Sequence, residues 1–279
     1  GTHSSSTNPQ ARRRIPGTDD VADPWSSPSH VSTPEAPADD MTILVGWNTA
    51  TLAGVSRADM DAWALRSHER ALAAIDEGRF ADEIVPVKVT GRDGTVSVFD
   101  VDEHPRRGST IEKLAGLKVL HPEIEGFSIT AGNSSGINDA ASAVVVASSD
   151  LAAEHGIAPL ATIRSWASVG VDPSETGLAP IGAIRKALDR AGLTVADVDL
   201  WEINEAFASV PIAATRELGL DEEKVNPFGS GCSLGHPIAA TGSRMVATLA
   251  HELRRRGGGT AVASMCAGGG MGSALVLTV

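Results

Sequence analysis

Apolar positions along the chain recur with two spacings, one helical and one alternating. Ser56 followed by Asp59 is a capping-box spacing. Met60, Trp63, Ala64, Ala71 and Ile75 then form one face of a helix that runs to about Glu77 and stops at Gly78. Strand-like runs follow at Glu83–Val89 and Thr95–Val101, separated by the turn-rich Gly91–Gly94. Residues 102–126 are polar and read as loop. From Phe127 to Ser148 the chain reads as strand, Gly/Asn/Ser turn, then a valine run.

The pattern becomes regular from about Pro159. Leu160–Val169 predicts a strand, and Pro180 opens a helix that Gly192 closes. Leu200–Ile203 predicts a short buried strand. Glu205–Leu218 predicts a helix kinked at Pro211. After the glycine-rich Gly229–Gly235, Pro237 opens a helix ending in Arg254–Arg256, favourably placed at the negative end of its dipole. Thr260–Met265 and Ser273–Val279 predict closing strands about the Gly268–Gly272 turn. Alternating strands and helices imply an α/β fold with a mostly parallel sheet covered by helices.

Composition narrows the function classes. In 279 residues, 23 Lys and Arg face 35 Asp and Glu, a formal charge of −12 that argues against general nucleic-acid binding. No apolar run reaches the length of a membrane span, and the first residues lack the apolar core of a secretory signal. Two cysteines, Cys232 and Cys266, are neither a disulfide framework nor a metal or redox CxxC pair, which points to a reducing, cytoplasmic setting and no metal site. Residues 1–40, with an arginine triplet at 12–14 and a Pro/Ser/Thr-rich Pro24–Pro37, read as a linker or disordered segment.

Four constellations could carry chemistry. Met265–Gly272 places Cys266 at a strand end, followed by glycines whose backbone N–H groups can approach a developing anion; a tight hairpin with an inert thiol is the plain alternative. Gly229–Pro237 sets His236 at a helix start, where the dipole favours a neutral imidazole, although a capping role fits too. Trp201–Phe207 puts Asn204 and Glu205 at the carboxyl end of a buried strand, where open α/β sheets bind ligands; an Asn cap is equally good physics. Gly132–Gly136 satisfies G-x-S-x-G and admits a serine-hydrolase reading with Ser134 as nucleophile, but valines rather than a firm helix follow.

Together, the Asn-Glu-Ala-Phe, Gly-His-Pro and Cys-x-Gly-Gly-Gly motifs, with Ile129–Asp139, resemble the thiolase family in order and spacing over Met41–Val279. The resemblance implies a βαβαβαββ layered fold with its second half complete and its first half partial. The corresponding divisions are a loop-domain-like region at 41–126, a remnant of the first half at 127–157 and the C-terminal half at 158–279.

It also implies roles. Cys266 is the acid/base cysteine, His236 an oxyanion-hole donor that helps activate the nucleophile, and Asn204 the holder of the water in that hole. Gly268 is the backbone donor of a second hole. Ala131, Ser135, Ala206 and Phe207 line a coenzyme A channel. Coenzyme A is a substrate, and no cofactor is permanently bound. The expected activity is thiolase-type acyl transfer on acyl-CoA thioesters, as Claisen condensation or thiolytic cleavage. The chain departs from the family in having no cysteine before Cys232, where the family carries its nucleophile. It therefore reads as a thiolase lacking most of its first half, or as a non-catalytic acyl-CoA-binding or assembly subunit. Half of a two-domain core leaves an apolar face, so the chain is expected to form homo-oligomers or pair with a complete thiolase subunit.

Overall fold

The computed structural model describes residues 1–4, 6, 15, 17, 18, 20, 30–37 and 41–279. The arginine triplet at 12–14 and residues 24–29 of the proline-rich stretch lie outside the described residues. The first described element, β1 (Thr2–His3), pairs antiparallel with Ala140–Ala141.

Two helices follow, α1 (Met41–Leu52) and α2 (Arg57–Asp76). The predicted capping box is present: Ser56 Oγ accepts from Asp59 N, and the Asp59 carboxylate accepts from Ser56 N. Met60, Trp63, Ala64 and Ala71 are buried as the helical spacing requires. Strands β2 (Val87–Thr90) and β3 (Val96–Phe99) form an antiparallel hairpin with every side chain exposed. The stretch read as loop contains a short helix, α3 (Ile111–Ala115), capped by Thr110. Strand β4 (Ala140–Ala141) and helix α4 (Ser149–Glu154) complete the first part.

Of the reading of 127–148, the Gly/Asn/Ser turn is observed and the strand before it is not. Thr130 makes an isolated bridge to Val119, and Val144, Val145 and Val146 are exposed outside any strand. β-propensity alone makes no strand: its backbone groups need a partner strand, and the valines have none among the described residues.

The C-terminal part follows its sequence pattern closely. Its elements are β5 (Thr162–Gly170), α5 (Ala179–Ala191), β6 (Leu200–Ile203), α6 (Ser209–Leu218), a one-turn α7 (Gly231–Leu234), α8 (Ile238–Arg256), β7 (Thr260–Ala267) and β8 (Met271–Thr278). The sheet order is β5-β8-β7-β6. β6 and β7 are parallel, while β8 is antiparallel to both β5 and β7. Three strands thus share one direction, but only one neighbouring pair is parallel, a correction to the mostly parallel sheet expected. The reason is the short turn from β7 into β8, which can only reverse direction.

Helices cover both faces. Met245, Leu249 and Leu253 of α8 pack with Leu200, Ala261, Ala263 and Leu277 on one side. Ile184, Ala187 and Leu188 of α5 join Ile203, Val262 and Val276 on the other, in a cluster that also takes in Met60 and Trp63 of α2. Alternate strand residues supply the two faces, which gives a helix–sheet–helix sandwich.

Helix α6 starts at Ser209, not Glu205, so Pro211 falls in its first turn and removes no helical hydrogen bond. Residues 206–208 are diverted into pairing with 133–135. Ser135 N donates to Ala206 O (2.9 Å), and Ala208 N donates to Asn133 O (2.9 Å).

Candidate active site

The carboxyl end of β6 runs into the turn at 206–208 and, through Asn204, meets the loop before α8. Asn204 continues β6, its N–H donating to Ser264 O at 2.9 Å. Its side chain is fully buried, and Nδ2 lies 3.3 Å and 3.4 Å from the two ring nitrogens of His236. The Asn204 Oδ1 atom is buried with no hydrogen-bond partner in the structure. A buried amide oxygen without a partner is destabilising unless a water or ligand atom meets it.

His236 is held at its ring and at its backbone. Nδ1 lies 2.8 Å from Thr241 Oγ1, which in turn lies 3.1 Å from Pro237 O. The single hydroxyl hydrogen can serve only one of these. When it goes to Pro237 O, Nδ1 carries the ring hydrogen and Nε2 presents a lone pair. When it goes to Nδ1, Nε2–H becomes a donor. Both neutral tautomers are satisfied, one suited to accepting a proton and the other to binding an oxyanion. Burial, then the charges of Arg244 and His3, push the imidazole down to about 4, so it is neutral at physiological pH. Arg244 itself is paired with the buried Glu202, which also accepts from Ser230 Oγ at 3.2 Å.

Cys266 enters from β7, paired across the hairpin with Gly272. It is buried, and burial pushes its thiol up to about 11. Gly268 sits exposed in the turn that follows. That turn is anchored by Gly270, whose N–H donates to Thr176 Oγ1 at 3.0 Å and whose carbonyl accepts from Val171 N at 2.7 Å. Gly270 has φ +83°, and a Cβ there would overlap Val171 O, so only glycine fits.

Ala131 is exposed and Ser135 and Ala206 are half-buried, the latter two joined by the hydrogen bond given above. Phe207 is buried with its ring directly on Gly46 of α1. Cys232 is buried, its thiol pushed well above the ordinary range by burial, and lies 3.7 Å from Glu205 O. That is a packing position.

Ser134 does not behave as a hydrolase nucleophile. Its hydroxyl is buried and donates to Thr130 O at 2.7 Å, and no helix follows the Gly132–Gly136 turn. An activated serine needs an exposed hydroxyl on a strand–turn–helix elbow with a base beside it.

Motif reading passed over Thr241, Asn226 and Asn138. Asn226 has φ +50° and locks the end of β6, its Oδ1 accepting from Ile203 N (2.8 Å) and its Nδ2 donating to Ile203 O (2.9 Å) and Glu205 Oε1 (2.8 Å). An Asn followed by Pro in a loop is the only sequence signal for it. Among the described residues no helix is long and apolar enough to cross a membrane, and no group of His, Cys, Asp or Glu could hold a metal ion.

Comparison with known proteins bears on the family and the fold. The family model for the thiolase C-terminal domain matches residues 157–279, and that for the thiolase N-terminal domain matches 32–150. An acetyl-CoA acetyltransferase of Syntrophomonas wolfei is 50% identical over 232 residues, covering 82% of this chain and 58% of the relative. Beta-ketothiolase BktB of Cupriavidus necator is 49% identical over 229 residues, with the same coverages. The chain therefore spans about 58% of the length of these curated relatives. The crystal structure of human mitochondrial 3-ketoacyl-CoA thiolase in complex with CoA superposes with a TM-score of 0.88 at 38% identity, covering 100% of this chain and 69% of that one. Two matching family models, close relatives and a shared fold lead to one conclusion: the chain belongs to the thiolase family.

Proposed function

We propose that this chain carries the acid/base half of a thiolase-type acyltransferase, acting on acyl-CoA thioesters. The observation that supports it most directly is the contact of Asn204 with a neutral His236 beside an unpartnered, buried Asn204 Oδ1, with Cys266 entering on the adjacent strand.

A thioester α-hydrogen is a weak acid, so its removal needs a strong base and a stabilised enolate. A thiol whose proton affinity is raised by burial becomes such a base once deprotonated, and in the reverse direction it is an acid that returns the proton. His236 in its Nε2–H form, with a water on the Asn204 amide, would hold the enolate oxygen, and the Gly268 N–H a second oxyanion. Ala131, Ser135, Ala206 and Phe207 are the residues we assign to the coenzyme A channel, with coenzyme A as substrate and no permanently bound cofactor.

With Cys266 in the acid/base role and Cys232 buried in packing, the thiolate that carries the acyl group must come from outside residues 1–279. We place the reaction in acyl-CoA and fatty acid metabolism in the cytoplasm, in an oligomer or beside a complete thiolase subunit. Calorimetry with coenzyme A, paired with deuterium exchange at the α-carbon of acetyl-CoA with and without Cys266→Ala, tests this reading, because α-proton exchange needs the base but not the acyl-carrying thiolate. Binding with exchange abolished by Cys266→Ala supports it. Binding without exchange by the unmodified chain favours an acyl-CoA-binding or assembly subunit, and no binding overturns both.

A further inference from the structure

His236 sits in a loop that two residues from a distant part of the chain grip. Its backbone N–H donates to Asn138 Oδ1 at 3.2 Å, across 98 residues. The contact is close because residue 235 is glycine: Gly235 has φ +84°, and a Cβ there would overlap the Asn138 amide. Three residues earlier in the same loop, Ser233 O accepts from His104 Nδ1 at 2.7 Å. A carbonyl can only accept, so Nδ1 of His104 carries hydrogen there. The His104 ring stacks on His68 at 6.4 Å, whose Nδ1 accepts from Arg106 N, so the grip is braced from α2. Between the two grips lies Gly136, where a Cβ would overlap His104 Nε2 and stand 3.0 Å from Asn138 Oδ1.

Residues 231–236 make few bonds of their own that orient His236. Leu234 N and Gly235 N close the single turn of α7, on Ser230 O and Gly231 O. The direction in which the chain leaves that turn, and hence where the imidazole lies against Asn204, is left to contacts from outside. Asn138 acts at His236 itself; His104 acts one bond system earlier.

We propose that Asn138 is a positioning residue for His236, with His104 bracing the same loop, so that the Ile137-Asn138 segment sets the imidazole against the Asn204 amide. The assignment rests on the reading of His236 as part of the oxyanion site, but the clamp itself is read without turnover. A rigidly placed donor matters because oxyanion stabilisation falls steeply when donor geometry is loosened.

The test uses the full chain with three variants: Asn138→Ala, Asn138→Asp and His104→Phe. The first readout is hydrogen exchange of the His236 amide, and the second is titration of the His236 ring by NMR, with Arg244 and His3 as the charged or titratable groups that act on it. Asn138→Ala should speed exchange of the His236 amide at least about tenfold, beyond any change in amides of β7, a loss of local protection. Asn138→Asp keeps an acceptor, so it should restore protection while its carboxylate moves the His236 titration upward. His104→Phe keeps the stack on His68 and removes the donor, so it should loosen 231–234 more than His236.

Equal acceleration at His236 and β7, or Asn138→Asp failing to restore protection, overturns the clamp. An Asn138→Ala variant with unchanged exchange does the same. Loss of coenzyme A binding by the unmodified chain would instead count against the acyltransferase reading and leave the exchange results to decide the clamp.

Discussion

The indole Nε1 of Trp63 donates to Glu205 Oε1 at 2.9 Å, joining α2 to the end of β6 across 142 residues. The same carboxylate accepts from Ser67 Oγ at 2.6 Å, Asn226 Nδ2 at 2.8 Å and Cys232 N at 3.2 Å. Glu205 is therefore the junction at which α2, the 226–230 loop and α7 are set against Asn204. These four hydrogen bonds explain why an acidic side chain can be completely buried beside the candidate site.

Glu205→Ala leaves four buried donors without an acceptor and should lower stability by roughly 3–5 kcal/mol. Trp63→Phe removes one donor and should remove about 1–2 kcal/mol. Urea midpoints compared at constant slope check both. Equal, small effects would mean that Glu205 is not the junction described.

Acid should destabilise the fold through two histidines. Burial holds His68 at about 4, and His236 is held at about 4 as well, against 6.5 unfolded. Between these values the unfolded chain binds protons that the folded chain refuses. Stability is complete above pH 6.5 and is lost as pH falls toward 4, at about 1.4 kcal/mol per pH unit for each group at most. His68→Asn, which keeps an acceptor for Arg106 N, should flatten this slope by about half in urea titrations from pH 7 to 4.5.

Glu83 should act in the opposite sense. Burial raises its carboxyl from 4.5 to about 7, opposed by the Thr248 hydroxyl, which donates to it at 2.7 Å, and by Arg244 and Arg255, while Glu202 adds to the rise. A raised acid binds a proton more tightly when folded, so its contribution is complete below pH 4.5 and is lost as pH climbs through 7. Glu83→Gln keeps an acceptor for Thr248 and should stabilise the chain at pH 8 by roughly 1–3 kcal/mol, with little effect at pH 5. A destabilised variant at pH 8 would contradict the burial argument.

Thr241→Val removes the partner of His236 Nδ1 while keeping side-chain shape. It should lower stability by about 1 kcal/mol and shift the balance between the two ring tautomers, read from imidazole nitrogen NMR shifts. Thr241→Ser should restore the wild-type tautomer balance. An unchanged spectrum in the valine variant would show that Thr241 does not set the tautomer.

Local signals in the chain were enough for α2, α5, α8 and the β7–β8 hairpin, because caps, helical spacing and glycine stops are short-range physics. They also marked Asn204, His236 and Cys266 as candidate positions at strand ends and a helix start, while their roles, and that of Gly268, came from the family resemblance. What the sequence could not settle were pairings between distant segments. The valines at 144–146 have strand character but no partner strand among the described residues, and residues 206–208 leave the helical pattern because 133–135 capture their backbone. The pairing of β5 with β8, the junction at Glu205 and the grip of Asn138 on His236 likewise depend on residues tens to more than a hundred positions apart. Spacing along the chain encodes which face a side chain takes, whereas partner choice is decided by packing, since each buried polar group takes the acceptor or donor that the assembled fold brings to it.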